Sequence, residues 1–343
     1  MGQPTRRTVI AGALGAGAHF ALSAMAPPAK RLRLAVVQMP SKNGAIAQNL
    51  HRAGLWVRKA AHAGAMLVLF PELMPTGYSL YYDIWDCAER SNGPTARWLR
   101  RTSRQFHIFL GTSFLEADGE DFYNTFVLTG PDGSEAGRVR KQVPADAEAY
   151  FFRGAEGPHV IETAIGRIGV GICAESYYCF LAEQMRQSSA DFVLMPHSAP
   201  DSSASGGLPA APGTHLGLWY ARKLGIPVAF VNKVGPWRTR ALFPPPDEVR
   251  GYFPGLSTII DSDARMLQSL GDSEAMGLAD ITLDPTRKIN MGPVCSGVGI
   301  AELSIGGPAG VASVMRAQEL GRGFYNSSEL RRAKARAISN AAQ

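Results

Sequence analysis

Residues 165–176, IGRIGVGICAES, constrain this chain more than any other stretch. Ile165, Ile168, Val170 and Ile172 supply β-branched side chains over a short span, the pattern of a buried strand. Gly169 and Gly171 leave room for close backbone approach. The run stops abruptly at Cys173-Ala174-Glu175. A strand fixes the position of the residue at its end, and a turn after it exposes that side chain. Cys173 is therefore a candidate nucleophile, with the N–H of Ala174 placed to face a developing oxyanion.

A lone cysteine is more often an inert, buried small hydrophobe. Two other residues lift Cys173 above that reading. Glu72 in LVLFPELMPTGY and Lys141 in GRVRKQVPADAE each lie at or just past the end of a strand-like run. A carboxylate can take the thiol proton. An ammonium stabilises negative charge on sulfur or oxygen, and a thiolate beside cations has a lowered pKa.

The blocks around these residues resemble the nitrilase superfamily, the carbon–nitrogen hydrolases. In chain order they are AVVQMP (35–40), LVLFPELMPTGY (67–78), YNTFVLTGPDGSEAGRVRKQVP (123–144), GRIGVGICAES (166–176), FVNKVG (230–235) and GLSTIIDSDARML (255–267). The resemblance covers residues 33–285. It implies an α/β fold, a four-layer α-β-β-α sandwich with two sheets face to face and helices outside. It also implies a catalytic triad of Glu72, Lys141 and Cys173, with Glu148 supporting the lysine and the substrate. The implied reaction is hydrolysis of a non-peptide carbon–nitrogen bond, in an amide or N-carbamoyl amine, through a cysteine thioester and without a cofactor. A nitrilase, or an acyltransferase on the same triad, is the alternative. True nitrilases usually carry Trp after the nucleophile and many amidases Tyr. Ala174 puts a methyl group at that pocket wall, which weakens the nitrile alternative. Glu175 fits an acidic family position and is expected to be structural. The resemblance further implies a homodimer or a higher homo-oligomer.

Charge excludes some partners. The net charge is +6, but residues 1–33 carry five basic side chains and no acid. Residues 316–343 carry six basic side chains against Glu319 and Glu329, so the middle of the chain is slightly acidic. A basic balance confined to the two ends is poor support for nucleic-acid binding. The small-molecule substrate is the expected partner. No run outside the N-terminal segment approaches the apolar length of a bilayer span.

Cys87, Cys173, Cys179 and Cys295 form no C-x-x-C pair, and the histidines show no H-E-x-x-H spacing, so no metal site is visible. Cys87, Cys179 and Cys295 lack acid–base company and read as packing. His197 or His215 could pair with Cys173 as in a papain-like protease, but no papain-type sequence surrounds the cysteine. Residues 1–30 read as a twin-arginine export signal: Arg6-Arg7, a mildly apolar stretch, and Ala24-Met25-Ala26 before a cleavage point. That predicts a periplasmic or exported protein, or a cytoplasmic one if this segment is not a signal. Residues 31–305 then form one hydrolase domain, and 306–343 a basic tail that is an exposed helix, an oligomer contact or disordered.

Within the domain the pattern predicts strands at 32–38, 65–73, 108–116 and 192–200, and helices at 44–63, 94–106, 177–188 and 215–225. A hairpin turns at Gly130-Pro131-Asp132-Gly133. Residues 200–214 are a Gly/Pro/Ser-rich loop, 236–255 read as irregular, and 255–271 as strand–turn–strand.

Overall fold

A computed structural model describes residues 1–2, 28–145, 147–205, 213–242, 247–289, 292–300, 303 and 307–341. The expected export signal, apart from its ends, and the middle of the 200–214 loop lie outside the described residues.

The chain builds two six-stranded sheets. The first has the order β14 (Ala275–Leu283), β1 (Lys30–Gln38), β2 (Leu67–Leu69), β3 (Phe109–Asp118), β4 (Asp121–Thr129) and β5 (Glu135–Arg140). The second runs β13 (Met266–Ser269), β12 (Thr258–Ile260), β9 (Val228–Val231), β8 (Phe192–Pro196), β7 (Gly166–Val170) and β6 (Val160–Thr163). The centre of each sheet is parallel, Leu34 opposite Leu67 in one and Ile168 opposite Phe192 in the other.

Period-2 alternation explains the layering. Leu34 and Val36 point inward and meet Ile168, Val170, Leu194 and Val231 of the facing sheet. Ala35 and Val37 point outward under α1 (Ile46–His62) and α2 (Pro94–Phe106), against Ala53, Val57 and Leu99. On the opposite outer face, Val193, Met195 and Phe230 pack under α3 (Cys179–Gln187) and α4 (Gly213–Leu224) through Leu181, Met185, Leu216 and Tyr220. The result is the α-β-β-α sandwich. Strands buried on both faces must be apolar at every position, which is why these runs are continuous rather than alternating.

Several elements depart from the sequence pattern. The 65–73 run holds only three strand residues, because Pro71 lacks a ladder donor and Leu73 adopts a left-handed φ of 46°. Residues 236–255 are not irregular: β10 (Val234–Arg240) and β11 (Glu248–Pro254) pair as an antiparallel ribbon. Helix α3 starts at Cys179, after a one-turn 3-10 helix at Cys173–Tyr177. Cys179 and Cys295 are not separate packing residues; they form a disulfide with Cα atoms 5.7 Å apart. The partners are 116 residues apart, a proximity that local pattern cannot reveal.

The basic tail forms α5 (Gly307–Ser327) and α6 (Glu329–Ser339), and both dock on the same chain. Gln318 donates to the carbonyl of Pro144 at 2.8 Å and to the Tyr178 hydroxyl at 3.0 Å. The Phe122 N–H donates to the Tyr325 hydroxyl at 2.9 Å. Arg331 is buried against Asp121 at 2.6 Å, Lys334 meets Asp86, and Arg336 meets Glu120. The positive charge of the tail therefore faces acids of the domain. Gly321 makes this fit possible: a Cβ there would lie 2.8 Å from the Cβ of Ala149. Gly321→Leu is expected to push α5 off this surface and to cost about 1–3 kcal/mol, the usual range for overpacking. Urea denaturation beside the unaltered protein measures it, and an unchanged midpoint would rule the contact out as a source of stability.

Candidate active site

The sandwich brings three strand ends to one place. Glu72 follows β2 after Pro71. Lys141 directly follows β5, and its N–H donates to the Asn124 carbonyl of β4 at 2.9 Å. Cys173 opens the turn after β7 with a φ of 52°, a left-handed conformation that is strained for a non-glycine residue. Glu72, Lys141, Cys173 and Glu148 are all buried.

Lys141 bridges two carboxylates. Its Nζ donates to Glu72 Oε1 at 2.8 Å and to Glu148 Oε2 at 2.7 Å. Asn124 Nδ2 donates to the same Glu72 oxygen at 2.7 Å. Oε2 of Glu72 is left without a conventional hydrogen-bond partner among the described residues, and the Cys173 thiol lies against this carboxylate. Glu148 sits on a one-turn 3-10 helix, Ala147–Tyr150. Its oxygens accept from Tyr78 OH at 2.9 Å and from the Ala145 N–H at 2.7 Å.

Burial governs the charge states. Desolvation raises the Glu72 pKa and Glu148 adds to it, while Lys141 opposes them. Burial would lower Lys141, but the carboxylates of Glu148 and Glu72 hold it well above its ordinary value, so it stays an ammonium. The Cys173 thiol is pushed well up, by burial first and by the Glu72 charge second. That reverses the sequence expectation of a thiol lowered by its lysine. Lys141 still pulls the thiol pKa down, but burial and the Glu72 charge outweigh it, so the thiol keeps its proton until a base removes it.

Glu175 ties the site together. Oε1 accepts from the Ile172 N–H at 2.9 Å, just before the cysteine, and Oε2 from the Gln142 N–H at 2.7 Å, just after the lysine. His159 backs it, with Nε2 3.3 Å from Oε2 and Nδ1 3.0 Å from Gln184 Oε1. Both ring nitrogens thus face acceptors, as in an imidazolium. Ala174 is half-exposed between buried Cys173 and Glu175. His215 is exposed on α4, and His197 is buried against the Phe230 ring with its Nε2 unpartnered among the described residues. The papain-like pairing has no support in this geometry.

Asn124, Tyr78 and His159 escape the sequence reading. Asn124 and Tyr78 lie inside the quoted blocks but read there as ordinary strand and loop residues. His159 stands outside every block and carries no local signal.

A carbon–nitrogen hydrolase family model matches residues 33–291. The chain belongs to the carbon–nitrogen hydrolase family. It is a member of the amidase–nitrilase kind. A Francisella tularensis citrullinase is 32% identical over 48% of this chain and 60% of its own length. A Xenopus tropicalis omega-amidase is 28% identical over 76% of this chain and 91% of its own length. The chain thus spans under two-thirds of the citrullinase. In fold, the carbon–nitrogen hydrolase from Helicobacter pylori G27 superposes with a TM-score of 0.64 at 19% identity, covering 88% of this chain and 96% of that one. Saccharomyces cerevisiae Nit3, of the nitrilase superfamily, gives 0.62 at 22% identity, over 75% and 92%. No helix among the described residues is long and apolar enough to cross a membrane.

The His159–Glu175 pair predicts a pH signature. Burial lowers the His159 pKa, but Glu175 outweighs it and the net value lies above the ordinary 6.5. A group raised on folding stabilises fully below its unfolded pKa and loses that contribution as pH climbs through the folded value. The stability gap between the native chain and His159→Gln is therefore expected to be widest below about pH 6.5 and to narrow above it. Urea titrations across pH 5–9 measure the gap; a gap that widens with pH would contradict a charged His159.

Proposed function

We propose that this protein hydrolyses an amide or an N-carbamoyl amine through a thioester on Cys173. The reading rests chiefly on one observation: a buried carboxylate, fixed through one oxygen by Lys141 and Asn124, keeps its other oxygen free beside a protonated thiol. Burial raises the Glu72 pKa above the ordinary carboxylate value, which suits a group that must both take and return a proton.

Each step follows from these groups. Glu72 takes the thiol proton as Cys173 sulfur attacks the carbonyl carbon. Lys141 and the Ala174 N–H stabilise the oxyanion of the tetrahedral intermediate. Glu72 returns the proton to the nitrogen, the C–N bond breaks, and ammonia or an amine leaves. Water, deprotonated by Glu72, attacks the thioester, the acid or carbamate departs, and the proton returns to sulfur. Acid–base assistance of this kind contributes roughly 10²–10⁴-fold, and one oxyanion donor roughly 10²–10³-fold. Glu148 holds Lys141 charged and in place, and Ala174 leaves space at the pocket wall. Citrullinase, omega-amidase and nitrilase names all occur among the relatives, so the preference for an amide or carbamoyl carbonyl over a nitrile rests on Ala174, which stands where nitrilases usually carry Trp. The Cys179–Cys295 disulfide supports export by the expected twin-arginine signal, because such bonds persist in oxidising compartments.

A panel of primary amides, N-carbamoyl amines and nitriles, read by ammonia release, tests the proposal. Amides or carbamoyl amines are expected to turn over, with Cys173→Ala lowering kcat at least about a thousandfold and Glu72→Gln about 10²–10⁴-fold. Ammonia release that survives Cys173→Ala would refute the thioester. Hydroxamate formation from hydroxylamine without hydrolysis would move the protein to acyl transfer.

A further inference from the structure

Lys233 is a buried cation that the mechanism above does not use. It belongs to FVNKVG, between β9 and β10, and is fully buried. No carboxylate lies within ion-pair distance of it among the described residues. Its Nζ donates to the carbonyl of Leu73 at 3.1 Å and lies 5.8 and 5.6 Å from the ring centres of Tyr78 and Phe253.

The residue it holds is the one after Glu72. Leu73 has the left-handed φ of 46°, and its carbonyl also accepts from the Gly77 N–H at 3.0 Å, closing the turn. Its N–H donates to Ser113 Oγ at 2.9 Å, and Ser198 Oγ donates to the Glu72 carbonyl at 2.7 Å. Ser113 belongs to the sheet that carries Glu72. Ser198 and Lys233 reach across from the facing sheet, the side that carries Cys173. These two bonds therefore fix the base relative to the nucleophile.

We propose that Lys233 is a positioning residue for the base: by gripping the Leu73 carbonyl it aims the Glu72 carboxylate at the Cys173 sulfur. This rests on the reading of Glu72 as the base. A buried amine without a counter-ion destabilises the fold, so its place here is explained by function rather than by stability. Burial lowers the amine to a pKa of about 7, with the Glu72 charge, and the Cys173 sulfur once ionised, opposing that fall. The titratable groups near it are those two and the Tyr78 phenol. A neutral amine still has N–H bonds to give, so the grip on Leu73 survives on both sides of neutrality.

Lys233→Met, of similar length and apolar, separates this role from a structural one. It is expected to raise the melting temperature while lowering kcat about 10–100-fold, with KM changed less than threefold and the pH profile unchanged in shape. Lys233→Gln, which keeps an N–H donor, is expected to recover part of the lost kcat. Site-resolved alkylation of Cys173 by iodoacetamide should slow in Lys233→Met, and this readout needs no substrate. An unchanged kcat, a fall in both kcat and melting temperature, or an altered pH profile would each overturn the proposal. If instead Glu72→Gln keeps full activity, the reading of Glu72 as base fails, whatever Lys233 does.

Discussion

The site depends on one buried ammonium held between two buried carboxylates. Lys141 at 2.8 Å from Glu72 and 2.7 Å from Glu148 turns three buried charges, each costly alone, into a cluster with a net charge near minus one. The same contacts set the chemistry. They occupy one oxygen of Glu72 and leave the other beside the thiol. Burial, with the Glu72 charge beside it, keeps the Cys173 thiol protonated at rest against the pull of Lys141.

Several surrounding hydrogen bonds hold this cluster in place. Glu175 fastens the backbone before Cys173 to the backbone after Lys141, and His159 supplies the charge that makes a buried Glu175 tolerable. Tyr78 and the Ala145 N–H fix Glu148. Helix α5 presses on the turn that carries Glu148, with Gly321 set against Ala149. That tail lies beyond the residues the family model matches, yet it packs within one helix turn of a residue that holds the lysine.

The cost of this arrangement is visible in the backbone and in the buried polar groups. Cys173 and Leu73 both take left-handed conformations, and Lys233 buries an amine with no carboxylate within ion-pair distance among the described residues. Strained backbone and buried polar groups are thus found where these strand ends meet, while the strands beneath are largely apolar packing. A scaffold of two doubly covered sheets has enough buried area to carry such local losses.

The sequence by itself determined most of the strands, the outer helices and the identity of Glu72, Lys141, Cys173 and Glu148 as candidates. Apolar period and abrupt strand ends are local properties, and family blocks preserve chain order. Helix α2 at Pro94–Phe106 matches its expected bounds because Pro at its first position and a strongly one-sided apolar face are both written locally. Tertiary structure alone decided the rest. The Cys179–Cys295 bridge, the docking of the basic tail, and the β10–β11 ribbon each depend on partners remote in the chain or on pairing that local propensity does not encode. The thiol's resting protonation was likewise out of reach of sequence, since a pKa depends on how deeply a group is buried and on which charges are already paired.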